Sequence, residues 1–548
     1  MSRARQPEGS DSYDYVIVGA GSAGCVVANR LSADPRNRVL VIEAGGFDRW
    51  IWFHIPAGYL FAIGNPRADW LFRTTEQTGL RGRSLDYPRG KVIGGSSAIN
   101  AMIYMRGQAA DYDSWQALGL PGWGWNDVLP YFLKSEDHMR PPNEFHRSGG
   151  EWRVEFPRMH WEILDSFRDA AEQQGIAKID DFNSGDNEGS SYFQVNQKGG
   201  WRFSAARAFL KPVLHRSNLH LITGAEAEKV LFDGKKATGL QFRHEGRTRA
   251  VRAEREVILA SGAIGSPWLL EKSGVGQGER LRAAGIEVVS DLPGLGENLQ
   301  DHLQIRPVYK VSNVRTLNTD YWNLFRRLGM GLDFAFRRRG PLTMAPSQLG
   351  LFARSGPDVE RADLQFHIQP LSLDAWGAGL HRFGAITASV CNLRPTSRGS
   401  VHFDPAKAMP VINPNYLSTD RDREVAVRGL RLARQIAGSS LLGRYALEEI
   451  KPGPEAATDE DLANAAGDLG TTIFHPVGSA RMGSKDDHFA AVDARLRVRG
   501  VSGLRVIDAS VMPLITSGNT NAPSVMIGEK GAAMMLEDSK EAFCNGPV

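Results

Sequence analysis

The sequence predicts an α/β chain, α+β overall, in which a dinucleotide-binding sheet built from discontinuous segments carries an inserted substrate domain with an antiparallel sheet. Three observations predict it. Residues 14–24 read as a buried strand, a glycine turn and a helix start, and a second apolar strand at 38–43 ends in an acid. Residues 361–416 alternate apolar with polar side chains (Leu364, Phe366, Ile368; Val401, Phe403), the period of half-buried antiparallel strands. A further buried strand, Leu504-Arg-Val-Ile-Asp508, comes near the end of the chain and reads as a late return to the first sheet.

Gly19, Gly21 and Gly24 have the G-x-G-x-x-G spacing. The first glycine permits the tight turn and the second lets backbone approach a pyrophosphate. The third lets the helix that opens at Ser22 and Ala23 pack closely on the strand. That helix start offers free N–H groups and a partial positive charge to phosphates. Glu43 lies about 20 residues beyond the glycines, where an acid meets a ribose hydroxyl. Strand, turn, helix, strand and acid in this order make the unit Rossmann-like.

Residues 50–72 are rich in aromatics (Trp50, Trp52, Phe53, Tyr59, Phe61, Trp70, Phe72) and read as a loop packed over the cofactor region. Residues 89–100 form a second glycine-rich element, with Gly94, Gly95, Ser96 and Ser97 exposing donors before a helix. Residues 219–260 read as short strands separated by turns at Asp233-Gly234 and Glu245-Gly246. Ser266-Pro267 starts a helix, because proline suits a first turn. Residues 420–447 carry a helical period through Val425, Leu430, Leu432 and Ile436, and residues 522–537 read as a helix with Pro523 in its first turn. Residues 1–12 and 538–548 read as loose tails. Residues 321–340 combine Trp322, Leu324, Phe325 and Leu328 with five arginines. This is a basic amphipathic helix that either turns an apolar stripe to the core or rests on anionic lipid.

Composition sets the bounds. At 548 residues the chain exceeds one ordinary core, and 42% hydrophobic with 23% charged residues is the balance of a globular protein. A formal charge of +3 gives no reason to expect a nucleic-acid partner. The three cysteines, Cys25, Cys391 and Cys544, have no metal-ligand spacing and make no disulfide framework, which fits a reducing compartment. Residues 1–12 contain no apolar signal-peptide core. The expected location is cytoplasmic, with peripheral contact on the inner membrane face as an added reading of 321–340. No metal is expected. His302 and His367 read as structural, since neither has a ligand partner at metal spacing.

Five sequence blocks carry a resemblance over nearly the whole chain. They are Gly90-Lys91-Val-Ile-Gly94-Gly95-Ser96-Ser97-Ala-Ile-Asn100; residues 262–276 from Gly262 to Gly276; Leu292-Pro-Gly-Leu-Gly-Glu-Asn298-Leu-Gln-Asp301-His302; His475-Pro476-Val-Gly478-Ser-Ala-Arg481-Met-Gly483; and Gly518-Asn519-Thr-Asn521-Ala-Pro523. The chain resembles the glucose–methanol–choline (GMC) oxidoreductases. The resemblance implies FAD, held by a domain from residues 13–157, 205–310 and 481–540, with the substrate domain at 158–204 and 311–480. By analogy Val92, Asn100, Ala101, Met102 and Ile103 line the flavin, Val230 meets the adenine side, and Asp508 and Ala509 meet the pyrophosphate or ribityl chain. Members with covalently attached flavin carry a histidine where this chain has Ile99, so non-covalent FAD is expected.

The resemblance makes His475 the base that takes the alcohol proton while flavin N5 accepts hydride. A neutral imidazole suits that task near pH 7. Asn519 would donate to the substrate oxygen as charge grows there, and family register favours it over Asn521. The implied activity is that of an alcohol dehydrogenase similar to choline dehydrogenase (EC 1.1.99-like). In choline oxidisers an acid is expected near residues 345–350, but this chain has Gln348, which favours a neutral primary alcohol with Phe352, Trp376 and the 50–72 aromatics as pocket. Choline dehydrogenase, an alcohol oxidase, a flavin-dependent lyase and a light-driven fatty-acid decarboxylase stand as alternatives. The electron acceptor is open, with a quinone as one candidate.

Overall fold

The computed structural model describes residues 12–374 and 379–544. The first sheet contains β1 (Ser12–Val18), β2 (Val39–Glu43), β3 (Leu219–Thr223), β4 (Ala225–Asp233), β5 (Lys236–His244) and β6 (Arg247–Leu259), in the order β3-β2-β1-β6-β5-β4. β1 pairs in parallel with β2 and β6, so Val16 sits between Leu40 and Val257. Both neighbours and both faces of β1 are covered, and its unbroken apolar run is what such a position requires. The turns at 234 and 246 make the antiparallel meander that the sequence predicts. The far end of β6 pairs in parallel with Leu504–Val506, which completes the sheet with the most distant segment of the chain.

Helix α1 (Ser22–Leu31) packs on this sheet, and α2 (Gly262–Lys272) leaves β6. The C-terminal helix, Asn521–Cys544, lies along α1. A Cβ on Gly24 would stand 2.0 Å from the Gly19 carbonyl oxygen, so only glycine lets α1 approach the turn. A Cβ on Gly21 would meet nothing nearer than 3.7 Å.

The second sheet is antiparallel throughout. Its strands β7 (Val308–Lys310), β8 (Leu349–Ala353), β9 (Leu364–Gln369) and β10 (Ala385–Asn392) run in the order β7-β10-β9-β8. Glu448–Lys451 and Gly189–Tyr192 form the two edges. Two helices complete this part: α3 (Leu324–Arg337) and α4 (Asp420–Ala437). On α4, Gly429 brings the helix backbone against Val390 and Leu364 of the sheet. Two short strands matter more than their length suggests. Leu303–Ile305 pairs with Thr471–Thr472, with Leu303 opposite Thr472, and this register brings the chain at 302 beside the chain at 475.

Four expectations need correction. Val401 lies in a separate ribbon, Ser400–His402 with Val411–Asn413. His402 Nδ1–H donates to Glu271 of α2 (2.7 Å), so this pair is drawn to the first domain instead of the second sheet. α2 begins at Gly262, four residues before the predicted start. Gly262 has φ +76° and its N–H bonds Asp508 (2.9 Å), so the cap sets the start and Pro267 falls inside the helix. Residues 95–98 make one 3-10 turn instead of a longer helix. Residues 538–544 are helical, not a tail, and Ser12 is already in β1. Trp376 lies outside the described residues. No helix among the described residues is long and apolar enough to cross a membrane.

These glycine contacts separate folding from ligand binding. Gly24→Ala is expected to lower the unfolding free energy by about 3 kcal/mol, since backbone must yield to backbone. Gly21→Ala should fold with near wild-type stability and lose dinucleotide affinity. Urea unfolding and ligand titration of both variants check this, and equal stability of the two would contradict it.

Candidate active site

One continuous cavity runs from the glycine turn at the carboxyl ends of β1 and β2 to His475 and Asn519. This is where an open α/β sheet places a ligand. Gly19, Gly21, Ser22, Ala23 and Glu43 line its first end. The N-terminus of α1 there has no side-chain cap and no acid in its first turn, so its N–H groups and dipole are available to an anion. Glu43 accepts the N–H groups of Ala20 and Gly45, both at 2.8 Å, and burial pushes its pKa up to about 7. Each carboxylate oxygen keeps a lone pair for a hydroxyl donor. The glycine-rich second loop closes over the first: a Cβ on Gly95 would lie 2.8 Å from Gly21 Cα. These are the features a pyrophosphate and a ribose need, and the residues present fit an FAD.

Asn100, Ala101, Met102 and Ile103 also line the cavity, as do Asp508 and Ala509. Asn100 Oδ1 accepts from Met102 N–H (2.9 Å) and from the buried Arg202 (3.0 Å), which holds the loop with Met102 at φ +63°. Asp508 accepts from Ser266, Ser510 and the N-terminus of α2. Ile99 also lines the cavity.

Two expected cofactor contacts are misplaced. Val230 is buried in β4 with its N–H donated to Ser273 (2.9 Å), and Ala225, Glu226 and Ala227 are the residues of that strand on the cavity. Val92 is core, bridged to Gly46, and does not reach the cavity. Gly24 acts through packing, as described above. Ser22 Oγ donates to Asn521 (2.7 Å), so Asn521 belongs to the helix junction and Asn519 is the asparagine beside His475.

At the far end His475 is buried. Its Nε2 lies 2.9 Å from Asn519 Nδ2, and its Nδ1 lies 3.1 Å from His302 Nδ1. His302 Nε2 lies 3.0 Å from the Leu393 carbonyl. A carbonyl only accepts, so His302 carries its proton on Nε2. Burial pushes the His302 pKa down to about 4, so it is neutral at pH 7 and its Nδ1 is an acceptor. His475 therefore donates from Nδ1, and its Nε2 is the unprotonated nitrogen, which accepts from the Asn519 amide. Burial, then the neighbouring His302, His367 and Arg89, holds His475 well below the ordinary histidine range, so it too is neutral. The expectation that His302 is merely structural is corrected: it sets the tautomer of its neighbour.

The backbone is fixed as firmly. His475 N–H donates to Asp301 Oδ1 (2.8 Å), and Asp301 Oδ2 accepts from Tyr87 (2.8 Å), Thr472 (2.6 Å) and Tyr416. Phe474, at φ +71°, turns the chain into the site.

His367 is corrected as well. It lines the cavity, stacked on Phe193 with ring centroids 5.1 Å apart, and its buried Nε2 has no protein partner. Gln369 beside it bonds Ser347 through Nε2 (3.1 Å) and leaves Oε1 unpaired. Period-two alternation had no means of separating these from core positions. Tyr59, Trp70 and Phe72 bring the aromatic segment to the cavity. Gln348 turns away to the Met159 carbonyl (3.0 Å), and Phe352 packs in a cluster with Phe182 and Phe193.

Among the described residues Glu136, His138 and His146 are close enough to suggest a metal. Their atoms are engaged: Arg106 and His146 bond Glu136, Asp181 bonds His146 (2.6 Å), and His138 accepts the Arg140 N–H. The two imidazoles stack at 3.9 Å instead of converging. This is a buried ion network.

The tautomers can be read directly. With [15N]histidine and single substitutions for assignment, His302 is expected as the Nε2–H form and His475 as the Nδ1–H form, both neutral from pH 8 to 6. Protonation of either above pH 6.5 would contradict the geometry.

Residues 13–304 and 395–528 match the two family models described as GMC oxidoreductase. The chain is 40% identical to the alcohol dehydrogenase [acceptor] of Pseudomonas putida over 96% of each chain. It is 39% identical to human mitochondrial choline dehydrogenase over 96% of this chain and 90% of that one. Among solved structures, pyridoxine 4-oxidase from Mesorbium loti superposes with a TM-score of 0.87 at 31% identity, covering 96% and 99% of the two chains. An FAD-dependent oxidoreductase from Chaetomium thermophilum gives 0.88 at 28%, covering 96% and 100%. The family and this neighbour imply FAD. With the dinucleotide cradle, the divided sheet and the histidine–asparagine pair all in place, the chain belongs to the GMC oxidoreductase family.

Proposed function

We propose that this protein oxidises a neutral primary alcohol to its aldehyde, using non-covalently bound FAD and passing electrons to an acceptor other than oxygen, of the quinone class. The observation that carries the reading is the unprotonated Nε2 of His475, which accepts from the Asn519 amide donor (2.9 Å), with both residues lining the cavity. FAD supplies the two-electron acceptor for the hydride lost by the alcohol carbon.

The protein's part is to manage the proton and the charge. The alcohol O–H donates to His475 Nε2. As that proton transfers, negative charge grows on oxygen and the Asn519 N–H stabilises it in a site shielded from water. The cation forming on His475 is stabilised by its Nδ1–H bond to the neutral acceptor His302, while Asp301 holds the backbone still. Loss of hydride from carbon then leaves the aldehyde, with one proton on His475.

A neutral substrate follows from the lining. The cavity carboxylates are Glu43, Glu226 and Asp508, all at the dinucleotide end. Of the aromatic faces on the cavity, that of Trp70 is already covered by the Lys91 ammonium (4.2 Å), which pairs with Glu226, so neither that face nor Glu226 is free to complete a quaternary-ammonium site. His367 Nε2 and Gln369 Oε1 instead offer hydrogen bonds to a neutral polar group. Non-covalent attachment is supported by Ile99, whose side chain has no nucleophile. The dehydrogenase reading is supported by the relative from Pseudomonas putida, whose name specifies an acceptor.

Anaerobic mixing with alcohols tests this. The wild type should bleach with primary alcohols and respond at least tenfold more slowly to choline. His475→Ala should keep the yellow colour and lose about 10³-fold in reduction rate, and Asn519→Ala about 10²-fold. Wild-type-like bleaching by His475→Ala would refute the base. Acid precipitation should leave all flavin in the supernatant, and yellow protein in the pellet would refute the non-covalent assignment.

A further inference from the structure

We propose that α3 is a membrane-docking helix, seating this protein on a bilayer that contains anionic phospholipid. Successive helical residues turn about 100°, so Leu324, Phe325, Leu328, Leu332 and Phe336 fall within one arc of about 120°. All five face solvent, with Phe325 86%, Phe336 83% and Leu324 75% exposed. An amphipathic helix on a globular protein ordinarily turns that arc inward. Here the inward contact is made from the other side, by Phe334, which is buried edge-on against Trp201 (5.2 Å) under Arg338. The apolar arc is left as a contiguous outward stripe, the kind of patch that marks an interaction site.

Charge selects the occupant. Residues 315–339 hold six arginines and two aspartates. Asp320 is buried and paired with Arg315 (2.7 Å) and Arg326 (2.8 Å). Asp333 lies 3.8 Å from Arg337. Arg327 packs over Tyr321, and Arg337 and Arg339 are exposed beyond the stripe. An apolar stripe flanked by cations fits the acyl boundary and the phosphate layer of an anionic leaflet. It does not fit a second copy of the same stripe, which would bring like charges together.

The neighbourhood extends the surface. The turn Pro341–Thr343 that follows α3 packs on Pro56–Gly58. Pro346 and Ser347 then form cavity wall, as do Tyr59 and Ile63 from the aromatic segment. That same segment exposes Ile51 and Phe61, each 49%. Segments whose inner faces line the cavity thus carry outward apolar side chains, so docking would set the cavity against the lipid. The inference does not rest on the redox reading, because vesicle binding is measured without turnover.

The test is flotation of the FAD-loaded protein with vesicles of phosphatidylglycerol and phosphatidylcholine (1:1) at low salt, with pure phosphatidylcholine alongside. The wild type should float with the mixed vesicles and at least tenfold less with phosphatidylcholine. Phe325→Glu/Phe336→Glu should lose at least tenfold in binding while keeping its bound flavin and alcohol-driven bleaching. Arg337→Glu/Arg339→Glu should lose the preference for phosphatidylglycerol. A wild type that stays below the vesicles overturns the proposal. So does light scattering that shows a dimer dissociated by Phe325→Glu/Phe336→Glu without vesicle binding, which would assign the stripe to a second copy.

Discussion

Four donors from three separate parts of the chain converge on one buried carboxylate. Asp301 takes the hydroxyls of Tyr87, Tyr416 and Thr472 and the backbone N–H of His475. A buried acid costs several kcal/mol unless its lone pairs are satisfied, so none of these donors can drift without penalty. Tyr87 comes from the stretch leading to the second glycine loop, Tyr416 from the stretch leading into α4, and Thr472 from the short strand paired beside His302. The carboxylate therefore ties the approach to the second glycine loop, the approach to α4 and a short strand of the second sheet to the backbone of the catalytic candidate.

The side chain of His475 is governed by a second constraint that starts at a main-chain atom. The Leu393 carbonyl orients His302, and His302 orients His475. The hydrogen-bond relay from the Leu393 carbonyl through His302 to His475 contains no ionised group. Burial is the main cause that keeps all three histidines at this end uncharged, with His367 pushed down to about 3. The result is a base whose unprotonated nitrogen meets the Asn519 amide at the cavity wall and whose other nitrogen is committed to His302.

Much of this was legible in the chain. The dinucleotide unit, the meander at 219–260 and the late strand at 504 follow from glycine spacing, turn residues and apolar runs, which are local signals. His475 and Asn519 came from sequence blocks whose pattern is specific. His302 and His367 were read as structural because neither has a partner at metal-ligand spacing, a test that is blind to a histidine acting through a hydrogen bond or lining a cavity. Val230 and Val92 were carried over by family analogy, and both are buried core residues off the cavity lining, a distinction that only tertiary packing makes. The segment 321–340 was read as amphipathic, but period alone cannot tell which face turns inward. The choice was made by Phe334 and Trp201, which are far apart in sequence.

The closeness of the first and last segments has a consequence for biogenesis. Ser22 bonds Asn521, Arg30 bonds Glu529 (2.8 Å) and Tyr15 bonds Ser539 (2.8 Å), while Leu504–Val506 completes the sheet that begins at Ser12. The cradle is encoded in the first tenth of the chain but is walled by its last tenth. A nascent polypeptide leaving the ribosome cannot close this sheet until nearly all of it has emerged. Capture of the prosthetic group is thus a post-translational event, and a prematurely terminated product would carry the nucleotide motif without a place to keep the nucleotide.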